Sequence, residues 1–257
     1  MNRIQQLFTT KKNNILSVFC TAGFPAVDSI VPILESLQEN GVDMIEIGMP
    51  FSDPTADGPV IQYSNTIAIN NGMTLEVLFA QLKNIREKVQ VPLILMGYVN
   101  PVLQYGLENF LRDAQACGID GVIIPDLPMY EYETFYIDTF RKYDLQNIFL
   151  ITPQTSGERV RKVDSLSDAF IYMVSSNAIT GANAAIEQQQ LEYYQRIKDM
   201  QLKNPTVIGF GIRDKATFDT ACQYANGAII GTAFIKAIDG KDNIPEAITA
   251  FIQQVKA

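Results

Sequence analysis

The sequence predicts a closed (β/α)8 barrel, and three observations carry that prediction. Short apolar runs alternate with longer stretches of helical period from one end of the chain to the other. Eight such pairs fit within 257 residues, close to the ~250 usual for this architecture. No Pro-, Ser- or Gly-rich linker and no block of like charge divides them, so a single domain over residues 1–257 is the simpler reading. A doubly wound open sheet is the architectural alternative.

The elements follow in order. Residues 1–10 have only short apolar spacing, which suits an amphipathic turn or two ahead of the barrel. Strands are predicted at 15–22, 44–48, 92–96, 121–124, 147–151, 169–174, 206–210 and 227–230, each a short apolar run. Helices are predicted at 29–39, 75–89, 107–117, 131–142, 158–165, 188–201, 215–224 and 245–255, one after each strand. Long loops are expected after the second and sixth strands. The first, from Met49 to Met73, far exceeds the ~2–6 residues usual for such a connection.

Composition removes several classes of function. A formal charge of −8, with no local run of Lys and Arg, makes nucleic acid an improbable partner. The absence of histidine excludes Ser-His-Asp and Cys-His catalysis and His-based zinc or iron sites, so no metal is expected. Cys20, Cys117 and Cys222 form no Cys-x-x-Cys pair, which fits a reducing cytoplasm. No stretch approaches the ~18 apolar residues of a membrane span, so a soluble, unprocessed chain is expected.

Weak internal repetition singles out one carboxylate. Gly41-Val-Asp-Met-Ile-Glu46-Ile-Gly48 aligns with Gly118-Ile-Asp-Gly-Val-Ile123-Ile-Pro125 and with Asn226-Gly-Ala-Ile229-Ile-Gly231. Glu46 thus takes the slot of Ile123 and Ile229 near the C-terminal end of a buried parallel strand, where an unpaired charge costs several kcal/mol. It either turns outward to pair with a Lys or Arg, or projects inward with Met44 and Gly48 as an acid and base of raised pKa. In the Asp-rich loop that follows, Asp57 and Asp53 either form Asx turns or lean over the barrel mouth.

Glycine-rich turns suggest a small phosphate held by backbone N–H groups. They are Gly209-Phe-Gly211 after strand seven, Gly227-Ala-Ile-Ile-Gly231-Thr232 after strand eight, and Thr180-Gly181 after strand six. Tyr172, Tyr98, Asn100 and Asp126 lie at the same end, as rim scaffolding or as site residues. If a phosphorylated substrate is split at a carbon–carbon bond, no strand lysine offers a Schiff base and no histidine offers zinc. The electron sink then has to lie in the substrate itself.

Four motifs, Phe19-Cys-Thr-Ala-Gly-Phe-Pro25, Glu46-Ile-Gly-Met-Pro-Phe-Ser-Asp-Pro-Thr-Ala-Asp-Gly-Pro-Val-Ile-Gln62, Met96-Gly-Tyr-Val-Asn-Pro101 and Gly209-Phe-Gly-Ile212, together resemble the tryptophan synthase alpha chain family. The likeness covers essentially the whole chain. It implies cleavage of indole-3-glycerol phosphate to indole and glyceraldehyde 3-phosphate, with the indole ring as the electron sink. It implies Glu46 as the acid and base, Asp57 on the indole N–H, Phe19 packed on the indole and Tyr172 touching substrate. Thr180 and Gly181 match a mobile loop, and Gly211, Gly231 and Thr232 a phosphate cradle in which Thr replaces the more usual Ser. Ala178 stands where the family commonly has Gly, which implies a reshaped loop. The resemblance also implies a beta-chain partner in an αββα assembly, with pyridoxal phosphate in the partner and no cofactor in this chain. Pro50, Asp53 and Asn100 match positions that face it. Competing readings are a sugar-phosphate isomerase or epimerase, and a barrel that only activates a partner.

Overall fold

The computed structural model describes residues 1–175 and 184–257. Nine parallel strands are present: β1 (Ile15–Thr21), β2 (Met44–Gly48), β3 (Leu93–Met96), β4 (Gly121–Ile123), β5 (Gln146–Asn147), β6 (Phe149–Ile151), β7 (Ile171–Val174), β8 (Thr206–Gly209) and β9 (Gly227–Ile230). They are ordered β5-β4-β3-β2-β1-β9-β8-β7-β6. The two ends of that order flank Ile148, so the sheet curls into the predicted barrel and the open-sheet alternative falls. The single strand expected at 147–151 is two pieces. β5 pairs with β4 and β6 with β7, and Ile148 N still donates to Val122 O at 2.9 Å where the strand changes partner.

Around the strands lie α1 (Arg3–Thr10), α2 (Ile30–Glu39), α3 (Pro59–Asn70), α4 (Leu75–Leu82), α5 (Val99–Tyr105), α6 (Leu107–Ala116), α7 (Met129–Glu131), α8 (Ile137–Lys142), α9 (Gly157–Leu166), α10 (Ala184–Asp199), α11 (Lys215–Tyr224), α12 (Thr232–Ile238) and α13 (Ile244–Lys256). The connection from Met49 to Met73 is not one long loop as expected. Residues 49–58 are irregular and 71–73 turn, but 59–70 is helical, because Pro59 occupies the first turn after Gly58, where its fixed φ favours a helix and its missing N–H costs nothing. The helix expected at 75–89 ends at Leu82 and is followed by a short turn at Ile85–Glu87. The helix expected at 131–142 is broken by a widened turn at Tyr132–Tyr136. The short helices α5 and α12 are additional, each of 7 residues, too brief to show a helical period in the sequence. Among the described residues no helix is long and apolar enough to cross a membrane.

Strand alternation divides the core in two. Ile45 and Ile47 pack outward against the helices, while Met44, Ile94, Ile123, Ile148, Phe170, Tyr172, Val207 and Ile229 fill the barrel. Each fully buried side chain of this kind contributes roughly 1.5–3 kcal/mol relative to exposure. The three aligned positions of the internal repeat face the same way: Ile123 and Ile229 lie in the interior cluster, and Glu46 shares the face of Met44. At the opposite end from the loops, α1 closes the barrel. Asn2 and Gln5 form a reciprocal cap, Ile4 is fully buried in the interior cluster, and Phe8 packs on Phe170 at 5.8 Å.

Candidate active site

The C-terminal end of the barrel holds a cavity of ≈ 210 Å³ whose wall includes Phe19, Gly48, Asp57, Asn65, Tyr98 and Phe210. Met96, Leu150 and Val174 make most of the remaining wall apolar, and no lysine lines it among the described residues. Glu46 lies one in-facing step below Gly48, between Phe19 of β1 and Ile94 of β3 in register. It is wholly buried. Among the described residues it meets no Lys or Arg, so the outward, ion-paired alternative falls. Ser17 Oγ donates to Glu46 Oε1 at 3.2 Å, while Oε2 is buried with no partner among the described residues. Burial raises the pKa from 4.5 to about 8, with the Ser17 hydrogen bond pulling the other way.

Asp57 stands at the end of the irregular segment 49–58 and is half-buried. Burial pushes its pKa up to about 6, against the hydrogen bond from Tyr98. Tyr98 Oη donates to Asp57 Oδ2 at 3.4 Å, a long bond, and accepts from Ala56 N at 3.0 Å. One hydroxyl therefore ties the acidic segment to the start of α5. Asp126 has the other role: its Oδ1 accepts from Val99 N at 2.9 Å and caps α5, which makes it scaffolding.

Tyr172 is buried on β7, and its hydroxyl fills the space over Gly209, where an added Cβ would lie 2.0 Å from it. Its pKa is raised by burial first, and then by the nearby carboxylates Glu46 and Asp57. Phe19 bridges two glycines: Gly48, whose Cβ would meet the ring at 2.4 Å, and Gly231, whose Cβ would stand 3.5 Å from Phe19 Cβ. Gly211 has φ +74 and follows Phe210 at φ 70, a left-handed pair held by Ser175 Oγ donating to Phe210 O at 2.6 Å. Thr232 is the exposed first residue of α12, next to Gly231.

The barrel thus gathers Glu46, Asp57, Phe19, Tyr172, Gly211, Gly231 and Thr232 at one end, where Phe19 and Asp57 line the cavity wall and the other five lie behind or beside it. Pro50, Asp53 and Asn100 sit on that rim outside the cavity wall, Pro50 half-buried and the other two exposed. Thr180, Gly181 and Ala178 lie outside the described residues. Sequence reasoning missed three groups: Ser17, Asn65 and the Phe210 ring. For Ser17 a signal existed, since it is a hydroxyl within the apolar run 15–20 and shares the face of Phe19 two residues on.

Fold and site together define a (β/α)8 barrel with two carboxyls of raised pKa beside an apolar cavity at its C-terminal end. The family profile described as tryptophan synthase alpha chain matches residues 5–257. The tryptophan synthase alpha chain of Flavobacterium psychrophilum is 54% identical over 255 residues, covering 99% of this chain and 100% of that one, and that of Bacteroides thetaiotaomicron is 51% identical over 248 residues, covering 96% and 97%. Among solved structures, tryptophan synthase subunit alpha from Legionella pneumophila superposes with a TM-score of 0.89 at 30% identity, covering 100% of this chain and 97% of that one. The chain belongs to the tryptophan synthase alpha chain family, and so to tryptophan biosynthesis.

Proposed function

We propose that the chain is a carbon–carbon lyase that cleaves indole-3-glycerol phosphate to indole and glyceraldehyde 3-phosphate, with Glu46 as acid and base. The observation that carries this reading is the Glu46 carboxyl itself: buried, free of cations among the described residues, and raised to about 8, so that it is protonated at neutral pH. It gives its proton to the indole carbon that bears the glycerol chain, and the ring becomes an indolium cation. Asp57, ionised above its pKa of about 6, accepts the indole N–H and stabilises that cation. The Glu46 carboxylate then takes the proton of the adjacent chain hydroxyl. The carbon–carbon bond breaks, its electron pair returns to the ring, and the chain carbon leaves as an aldehyde. Glu46 ends protonated, and no outside acid, base or redox partner is consumed.

The apolar wall suits the indole, with Phe19 packed on the ring and Tyr172 touching substrate. Gly211, Gly231 and Thr232, joined by Thr180 and Gly181, hold the phosphate through backbone N–H groups and hydroxyls. The chain acts as one barrel in the cytoplasm and needs no cofactor or metal of its own. Its partner is a beta chain containing pyridoxal phosphate, met through Pro50, Asp53 and Asn100 in an αββα assembly, which receives the indole.

The test is Glu46→Gln, assayed by indole release from indole-3-glycerol phosphate with and without the beta chain. Turnover should vanish while substrate binding survives. Retained turnover overturns the role of Glu46, and no turnover by the wild-type chain under either condition favours a barrel that only activates its partner.

A further inference from the structure

The two oxygens of the Glu46 carboxyl have different surroundings. Oε1 accepts a hydrogen bond from Ser17 Oγ at 3.2 Å, whereas Oε2 is buried with no partner among the described residues. Ser17 is itself fully buried on β1, in-facing like Phe19, and stands opposite Met44 one step below Glu46. Among the described residues its hydroxyl has no acceptor other than Glu46 Oε1. A proton on Oε1 would point at that hydroxyl and leave the fully buried serine hydrogen without the acceptor it has now, which costs a buried donor its bond. A proton on Oε2 leaves the Ser17 hydrogen bond intact in both charge states of the carboxyl.

We infer that Ser17 is a positioning residue for the reaction proposed above: its hydroxyl holds Glu46 Oε1 as a permanent acceptor, so that Oε2 alone delivers and recovers the proton. The inference rests on that reading of Glu46. In the first step the Oε2–H bond breaks as the ring C–H bond forms. In the second the substrate O–H bond breaks, Oε2–H re-forms, and the carbon–carbon pair returns to the ring. Fixing one oxygen removes the rotation that would otherwise place the proton on the wrong side between steps.

The titratable group beside the Glu46 carboxyl on the inner face is the Tyr172 hydroxyl on β7, whose pKa is raised by burial and then by both Glu46 and Asp57; the Cys20 thiol on β1 faces the outer layer, its Sγ 3.7 Å from the backbone oxygen of Glu46. Ile94 on β3 and Ile229 on β9 contribute only apolar surface. None of these favours the Glu46 anion, so Ser17 is the neighbour whose loss changes its proton affinity in a defined direction.

The experiment compares full-length wild type, Ser17→Ala, Ser17→Thr and Glu46→Gln. Ser17→Ala should move the basic limb of the kcat/KM profile up by about one pH unit, because a donor to the anion is lost. It should lower kcat on the order of tenfold with little change in KM. Ser17→Thr, which keeps the hydroxyl, should restore both. Independently of turnover, the infrared carbonyl stretch of protonated Glu46 in the substrate-free chain should rise in Ser17→Ala, since its acceptor oxygen loses a hydrogen bond. An unmoved limb or an unmoved carbonyl band in Ser17→Ala overturns the inference, as does a threonine variant that behaves like alanine. Turnover by Glu46→Gln would instead bring down the parent reading; its inactivity beside an unaltered Ser17→Ala would bring down this inference alone.

Discussion

The ring of Phe19 lies across Gly48, so that a Cβ on Gly48 would stand 2.4 Å from Phe19 Cζ and 2.8 Å from Cε2. These two residues belong to adjacent strands, and the missing side chain of one is the seat of the other. Gly48→Ala should therefore swing the ring into the cavity. We expect KM to rise about tenfold and stability to fall by about 1–3 kcal/mol, as for other overpacked sites. Steady-state kinetics and thermal unfolding read the two effects separately, and an unchanged KM would show that the ring does not border the substrate.

Glu46 has to enter protonated and Asp57 ionised, so the pH profile of kcat/KM should be a bell with limbs near about 8 and about 6. Tyr98 donates to the Asp57 anion and thereby lowers its pKa. Tyr98→Phe should move the acid limb upward and leave the basic limb alone. A shift of both limbs, or of the basic limb only, would contradict the assignment.

The same burial makes Glu46 costly to fold at alkaline pH. Its pKa is 4.5 in the ordinary state and about 8 in the fold. Between those values the unfolded chain is ionised while the folded chain keeps its proton, so folding takes up a proton and stability falls as pH rises through the window. Glu46→Gln lacks this dependence. Its stability advantage over wild type should grow between pH 5 and 8 by on the order of a few kcal/mol, at about 1.4 kcal/mol per pH unit, as read from denaturant midpoints.

Asp120 anchors the closed end of the barrel. Its carboxyl accepts from Arg86 at 2.5 Å, from Arg3 of α1 at 3.1 Å and from Leu93 N at 3.0 Å, and it is almost fully buried. Asp120→Ala leaves the half-buried Arg86 without its counter-charge and should cost about 3–5 kcal/mol. Because this network lies at the other end from the cavity, the folded fraction should keep its KM. A loss of substrate binding in that fraction would tie the network to the site.

The barrel was legible because strand alternation and helical period are local signals, and the repeat correctly set Glu46 in the slot of Ile123 and Ile229, which the fold turned inward. Helix α3 was not. Its Pro- and Gly-rich approach reads as turn chemistry, and its apolar residues do not stand out along one face until the helix is docked. Tyr98 and Asp126 looked equivalent in sequence, two polar residues at neighbouring strand ends. The fold turned one to Asp57 and the other to the backbone of α5. Ser17 carried a local signal, a hydroxyl in an apolar strand, but its partner Glu46 lies 29 residues away and only the fold pairs them.

By itself the sequence determined the alternation of parallel strands and helices, the slot of Glu46 on a buried strand and the motifs that place the chain in its family, all of which follow from periodicity and residue order; closure of the sheet and the inward aim of Glu46 came with the fold. Only the tertiary structure decided which oxygen of Glu46 is held, how far burial raises the two carboxyls, and which rim residue braces Asp57. Those properties depend on desolvation by the whole ring of strands and on contacts such as Ser17 with Glu46 and Tyr98 with Asp57, 29 and 41 residues apart in the chain. No local stretch encodes such distances; they come into being when the barrel closes.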